Sequence, residues 1–243
     1  VLKPRTGAGA LDTVRVDDLA QLEQALGRFG GQGVESIAVE EFVEGHEGFY
    51  DTLSIGGHVA ADFVSHYYPN VLEAMRTRWI SPQFVSTNRL DTAPEYGELR
   101  EMGQRVITAL GIGTSATHME WFFGPKGLRF SEIGCRPPGV GAWDLYSAGN
   151  DMDLYRAWAD AIVHGGISTV PSRRYASGIV ALRPSQDGSI SGYSGVDELQ
   201  QRYGEWVIDA HLPPPGTPTQ GVEAGYMANA YVRMRHPDYD VLH

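Results

Sequence analysis

Two strand-like runs, HMEWFF (118–123) and LRFSEI (128–133), are separated only by GPKG. So short a connection folds two extended runs back as an antiparallel hairpin. Each run carries one carboxylate, Glu120 and Glu132, twelve residues apart. Directly opposed residues share a face, so under regular pairing they have numbers of like parity. A register that pairs Phe122 with Phe130 also sets Glu120 against Glu132. Two facing carboxylates repel unless a cation sits between them. A divalent cation answers this, because Mg²⁺ takes one or two carboxylates and fills its shell with phosphate oxygens and water. The other reading is a different register with two solvated glutamates.

The second strand runs on into FSEIGCRPPG (130–139), where Arg136 follows Glu132 by four residues. Alternation brings Glu132, Gly134 and Arg136 towards one face. An arginine beside a metal–phosphate site can neutralise charge on a transferred phosphoryl or carbonyl oxygen. A plain Glu132–Arg136 surface pair is the alternative.

Two upstream segments fit a phosphate ligand. VLKPRTGAGA puts Lys3 on a strand just ahead of a loop containing Gly7 and Gly9. Those glycines let backbone N–H groups close over phosphates, although the lysine precedes them and the loop is no Walker motif. VEEFVEGHE (39–47) ends a strand in an open acidic segment. The backbone of such a segment can read an adenine edge, and Glu47 can hold ribose hydroxyls. An acidic strand-to-turn transition is the alternative.

The rest of the chain sets the frame. Its 243 residues are 42% hydrophobic, enough for a sizeable core. Nineteen Lys and Arg against 30 Asp and Glu give a net charge of −11, which disfavours nucleic acid and anionic membrane. The lone Cys135 forms no internal disulfide, and a cytoplasmic location is expected. No apolar run approaches the roughly 18 residues of a membrane span. Thirty glycines and 14 prolines favour turns and short strands.

Helical spacing predicts a helix over 18–29 with Leu19, Leu22 and Leu26 inward, capped by Asp18 with Gln21. A second starts at Glu95 with Leu99, Met102, Val106 and Leu110 inward. A third carries Leu154, Trp158, Ala161 and Ile162. Strands are expected at 34–43 and on both sides of IGGH (55–58), residues 69–93 read as irregular, and a short helix is expected near 196–203. The class is α+β with mainly antiparallel strands. Two units are expected, 1–166 and a small β-rich lobe over 167–243.

In this order and spacing, VLKPRTGAG, VEEFVEGHEGFYD and HMEWFF…LRFSEIGCRPPG resemble the ATP-grasp superfamily, in its carboxylate–amine ligase branch, which includes enzymes forming dipeptides from amino acids. The resemblance covers about residues 1–165, and the tail resembles the small C-terminal lobe of those enzymes. No one motif is specific; the three in order are. The resemblance implies an ATP-grasp fold, a largely antiparallel sheet flanked by helices. It implies ATP and Mg²⁺ or Mn²⁺ as cofactors. Lys3 matches the phosphate-contacting lysine, and residues 6–10, with Gly7 and Gly9, match the flap over the triphosphate. Glu40, Glu41 and Val43 match the adenine hinge, and Glu47 the ribose acid. Glu120 and Glu132 match the metal ligands. Arg136 matches the arginine that steadies the acyl phosphate.

The chain also departs from the pattern. Gly134 stands where many relatives place a ligating Asn, which points to peptide-forming members. PPGVGAWD replaces the run that follows the arginine in biotin carboxylases. Ala10 replaces a flap Ser. The domain and small lobe that normally precede the Lys3 strand are expected in a longer parent protein. The implied reaction joins a small-molecule carboxylate to an amine through an acyl phosphate, releasing ADP and phosphate. A bicarbonate-activating, carboxylase-like enzyme and a non-catalytic nucleotide-binding module are the competing readings. Arg76 and Arg78, in the polar loop EAMRTRWISP, are candidates to grip a substrate carboxylate. His46 and His118 are candidate proton acceptors, each also readable as structural. Trp79 is expected in packing and Cys135 as a small residue in a tight place. Homodimers occur among the relatives, so a homodimer is an option here.

Overall fold

The computed structural model describes residues 1–5, 12–34, 36–222 and 227–243. Its chain order is β1 (Leu2–Pro4), α1 (Leu19–Gly31), β2 (Ile37–Val39), β3 (His46–Ile55), β4 (His58–Tyr68), α2 (Val71–Ala74), β5 (Gln83–Ser86) and α3 (Tyr96–Ala109). There follow β6 (Ser115–Gly124), β7 (Gly127–Gly134), α4 (Ala142–Asn150), α5 (Leu154–His164), β8 (Ala176–Ala181), α6 (Val196–Tyr203), β9 (Val207–His211), β10 (Tyr231–His236) and α7 (Tyr239–Leu242). β1 and β2 form a small antiparallel pair, and the other eight strands form one antiparallel sheet in the order β7-β6-β3-β4-β5-β8-β10-β9.

The small pair and α1 close over their own core of Leu2, Ala25 and Phe29. Asp18 caps α1 as its sequence predicts, accepting from the Gln21 N–H at 2.8 Å. The buried stripe is shifted from the expected one. Ala25 and Phe29 are buried, Leu22 is half-buried, and Leu19 and Leu26 are exposed. Phe29 provides the large apolar group that the leucine spacing suggested elsewhere. Similarly, α3 buries Leu99, Met102, Gly103 and Ile107, while Leu110 lies past its end and is exposed. On α5, Leu154, Ala157 and Ala161 are buried and Ile162 is exposed.

The sheet packs on both faces. On one, Phe49, Leu53, Phe63, Tyr67 and Phe84 meet α4 and α5 through Trp143, Leu145, Tyr146 and Leu154. On the other, Tyr50, Val64, Met119 and Trp121 meet α3 through Leu99 and Met102. The expected hairpin at IGGH is present, with Gly56 and Gly57 at φ 58° and 86°. Two elements differ from the sequence reading. Among the described residues of 34–43 the strand covers Ile37–Val39, and 40–45 is an open connection. The 69–93 segment is not wholly irregular: its β5 bridges β4 to β8. The last three strands therefore extend the main sheet, with no break at 166 and 167. Among the described residues, no helix is long and apolar enough to cross a membrane.

Candidate active site

The β6–β7 hairpin is where the site begins. Its turn holds two residues, because Gly124 pairs with Gly127. That turn forces opposed residues to differ in parity. Phe122 accordingly opposes Arg129 and Phe130 opposes Trp121, so the expected Phe122–Phe130 register is incorrect. A bulge between Met119 and Trp121 then inserts one residue on β7. Beyond it, Met119 pairs with Ile133 and His118 with Gly134, both of like parity. The bulge thus brings Ser131 and Glu132 together opposite Glu120. Without it, Ser131 alone would face Glu120.

The connection 40–45 crosses the end of this hairpin closely. A Cβ on Gly124 would lie 2.1 Å from the Glu44 carbonyl oxygen, and one on Gly45 2.4 Å from that of Phe123. Side chains at either position would force the two segments apart. Asn70 pins the same connection to the next loop. Its Oδ1 accepts from the Glu47 N–H at 3.0 Å and its Nδ2 donates to the Gly45 carbonyl at 2.7 Å.

Between β1, this connection, the loop after β4 and the hairpin lies a cleft of about 1370 Å³. Lys3, Glu40, Glu41, Val43, Glu47, Arg76, Glu120, Glu132 and Arg136 all line it, although they come from four separate stretches of chain. Lys3 Nζ lies 3.1 Å from both Glu40 Oε1 and Glu132 Oε2. Burial works against its charge, but hydrogen bonds to Glu132 and Glu40 outweigh this and raise its pKa. Arg136 lies back along Gly134, where a Cβ would be 3.5 Å from its Cγ and Nε. A Cβ there would make ordinary van der Waals contact with the arginine.

Glu47 is buried, and its Oε2 accepts from the Val71 N–H at 2.7 Å. Burial first, and then the charges of Glu120 and Glu132, push its pKa up to about 8. Three carboxylates therefore crowd one wall, with Lys3 as a counter-ion to Glu132. Glu120 and Glu132, brought to one side of the hairpin by the bulge, could hold a divalent cation between them. Among the described residues, no group of three or more His, Cys, Asp or Glu is arranged to hold a metal by itself. A two-carboxylate site that leaves positions for phosphate and water agrees with both facts.

His118 also lines the cleft, one step along β6 from Glu120. Its Nδ1 meets Asp51 Oδ1 at 2.7 Å, and its Nε2 lies 3.7 Å from Glu120 Oε1. Asp51 is fully buried and accepts a second bond from Tyr146 Oη at 2.5 Å. Burial opposes the imidazolium, but Asp51 and then Glu120 outweigh it and push the His118 pKa up to about 10. The Asp51–Tyr146 support escaped the sequence reading. β3 mixes polar and apolar residues without marking Asp51 as buried, and α4, which carries Tyr146, is buried on most sides and has no helical stripe to detect.

Other expected residues lie elsewhere. Gly7 and Gly9 fall outside the described residues. Arg78 does not line the cleft: its guanidinium pairs with Asp187. That corrects its expected role as a substrate ligand, because a neighbouring carboxylate already occupies it. His46 is on the opposite face of the sheet, with His66 and Trp121. Trp79 and Cys135 are exposed, against the packing expected for them.

No profile of a known protein family matches the chain. It is 25% identical over 219 residues to an L-arginine-specific L-amino acid ligase of Bacillus subtilis, covering 87% of this chain and 51% of that protein. Among solved structures, an L-amino acid ligase from Bacillus licheniformis superposes with a TM-score of 0.74 at 18% identity, over 99% of this chain and 59% of that one. An N5-carboxyaminoimidazole synthase from Aspergillus clavatus, solved with ADP and an aminoimidazole ribonucleotide, gives 0.60 at 13% identity, over 94% and 56%. The chain has the ATP-grasp fold. In sequence and fold together it resembles the carboxylate–amine ligases that share this fold. It spans about half the length of the curated relative it matches.

Proposed function

We propose that this chain forms the nucleotide- and metal-binding part of an ATP-dependent carboxylate–amine ligase acting on amino-acid-like substrates in the cytoplasm. One observation carries the reading: segments separated by up to 133 positions, from Lys3 to Arg136, converge on one cleft in the order the chemistry needs. In this reading the base of ATP lies along the 40–43 connection and Glu47 takes the ribose hydroxyls. The phosphates reach Lys3. Glu120 and Glu132 would hold Mg²⁺ or Mn²⁺, which would offset the charge of the phosphates.

A carboxylate oxygen then attacks the γ-phosphorus, the bond to the ADP oxygen breaks, and an acyl phosphate forms. Lys3 and Arg136 stabilise the charge that develops on the oxygens. An amine attacks the carbonyl carbon, phosphate leaves, and the amine loses a proton. Holding the acid and amine side by side supplies much of the rate advantage. Residues 1–166 provide the nucleotide and metal site, and 167–243 buttress it.

The test is product analysis with ATP, Mg²⁺ and a panel of L-amino acids, L-arginine among them, as acid and as amine. ADP and phosphate should form in step with an amide product. AMP in place of ADP, or ADP formation supported by bicarbonate and by no amino acid, would overturn the reading.

A further inference from the structure

The loop over 69–82 has two sides. Its inner side, including Leu72, Met75 and Arg76, lines the cleft. Its outer side is held by the tail. The Ala74 carbonyl accepts from Arg183 Nη1, and Arg78 pairs with Asp187. The Arg183 N–H donates to Ser81 Oγ at 3.2 Å, and the Ala181 N–H to the Pro82 carbonyl at 2.9 Å. Ala74 and Arg78 thus face the tail from two residues either side of Arg76. Arg76 itself is exposed, and no carboxylate among the described residues pairs with it. Its guanidinium makes one long bond, 3.4 Å to the Thr13 carbonyl across the cleft.

An uncommitted guanidinium held towards a cleft is suited to a carboxylate. Under the ligase reading, on which this inference rests, the acid's carboxylate is consumed in forming the amide. A carboxylate on the amine substrate survives the reaction. We infer that Arg76 grips the free carboxylate of an amino acid acting as the amine, and that Arg78 and Asp187 are positioning residues that hold Arg76 there. The amine substrate is then an α-amino acid, not a simple amine, and the tail acts on specificity without touching substrate.

The experiment compares L-alanine with L-alaninamide as the amine, using the best acid from the panel. Wild type should favour the acid form through KM. Arg76→Met should raise the KM for L-alanine about tenfold and leave that for L-alaninamide unchanged. Asp187→Asn should raise it about threefold. In the Arg76→Met background Asp187→Asn should add nothing, because it acts through Arg76. Additive effects, or equal losses for alanine and alaninamide, overturn the inference. Amide hydrogen exchange of 71–77 gives a readout free of turnover: exchange should quicken in Asp187→Asn and recover in Asp187→Glu. An unchanged loop in Asp187→Asn overturns the positioning role even if no acid supports turnover. Failure to form ADP with any amino acid sinks the ligase reading separately.

Discussion

The two faces of the sheet around β6, β3 and β4 use the same residue types to opposite ends. On the cleft face, His118 meets a buried carboxylate and is held charged, its pKa pushed up to about 10. On the other face, His66 is packed among His46, Tyr96 and Trp121, and hydrogen-bonded to His46 and Tyr96 at 2.9 Å each. Burial, and then the neighbouring imidazole of His46, push its pKa down to about 3. Carboxylates divide in the same way. Behind the sheet, Asp62 and Asp91 are each shared by Arg100 and Arg173, two charges against two. In the cleft Lys3 is shared by Glu40 and Glu132, Glu120 lies 3.7 Å from His118 Nε2, and burial pushes the Glu47 pKa up to about 8. The closed face serves stability, and the open one keeps charge in reserve for a ligand.

Several changes would break or sharpen that contrast. The largest effect is expected from Glu120→Gln or Glu132→Gln, each lowering Mg²⁺-dependent ADP formation by on the order of a hundredfold or more at unchanged thermal stability. A steady-state assay paired with thermal melts checks this. If either variant stays active, the metal assignment is lost. Asp51→Leu comes next, since it leaves His118 and Tyr146 without their buried acceptor. Denaturant titration should register a loss of about 3–5 kcal/mol.

The histidines predict a pH profile with two separable limbs. The His118 pair stabilises the fold fully below pH 6.5, and this is lost as pH rises through about 10. His66 works the other way, because the unfolded chain takes up its proton first. Its neutral packing stabilises above pH 6.5, and this is lost as pH falls towards about 3. Denaturation midpoints across pH should show His118→Asn flattening the alkaline limb and His66→Gln the acid limb. A reversed assignment would refute the contrast between the faces. The smallest effect belongs to Trp79→Ala, at an exposed position, with a stability change within about 0.5 kcal/mol by the same titration.

How much of this was legible in the sequence depended on how local the signal was. Short turns and caps were readable: IGGH, Asp18 with Gln21, and the helix over 196–203 are all present. The ATP-grasp fold was legible from the order of three motifs, each weak alone. Burial stripes were less so, because Leu26 and Leu110 have helical spacing but no partner layer above them. Long-range polar pairs were not legible at all. Arg78 meets Asp187 across 109 positions, and His118 meets Asp51 across 67, and nothing in either neighbourhood signals the other.

The bulge in β7 gives this hairpin something like a reading frame. Substitutions along 128–131 leave the frame intact, because alternation ignores identity. Losing one residue there would restore regular pairing, leave Glu132 alone opposite Glu120 and keep Ile133 opposite Met119. Losing two would set Glu132 opposite Trp121 and turn it to the closed face. The stretch is therefore under a constraint of length as well as of chemistry. Variation in this protein should arrive there by replacement, and single insertions should collect in the loops beyond.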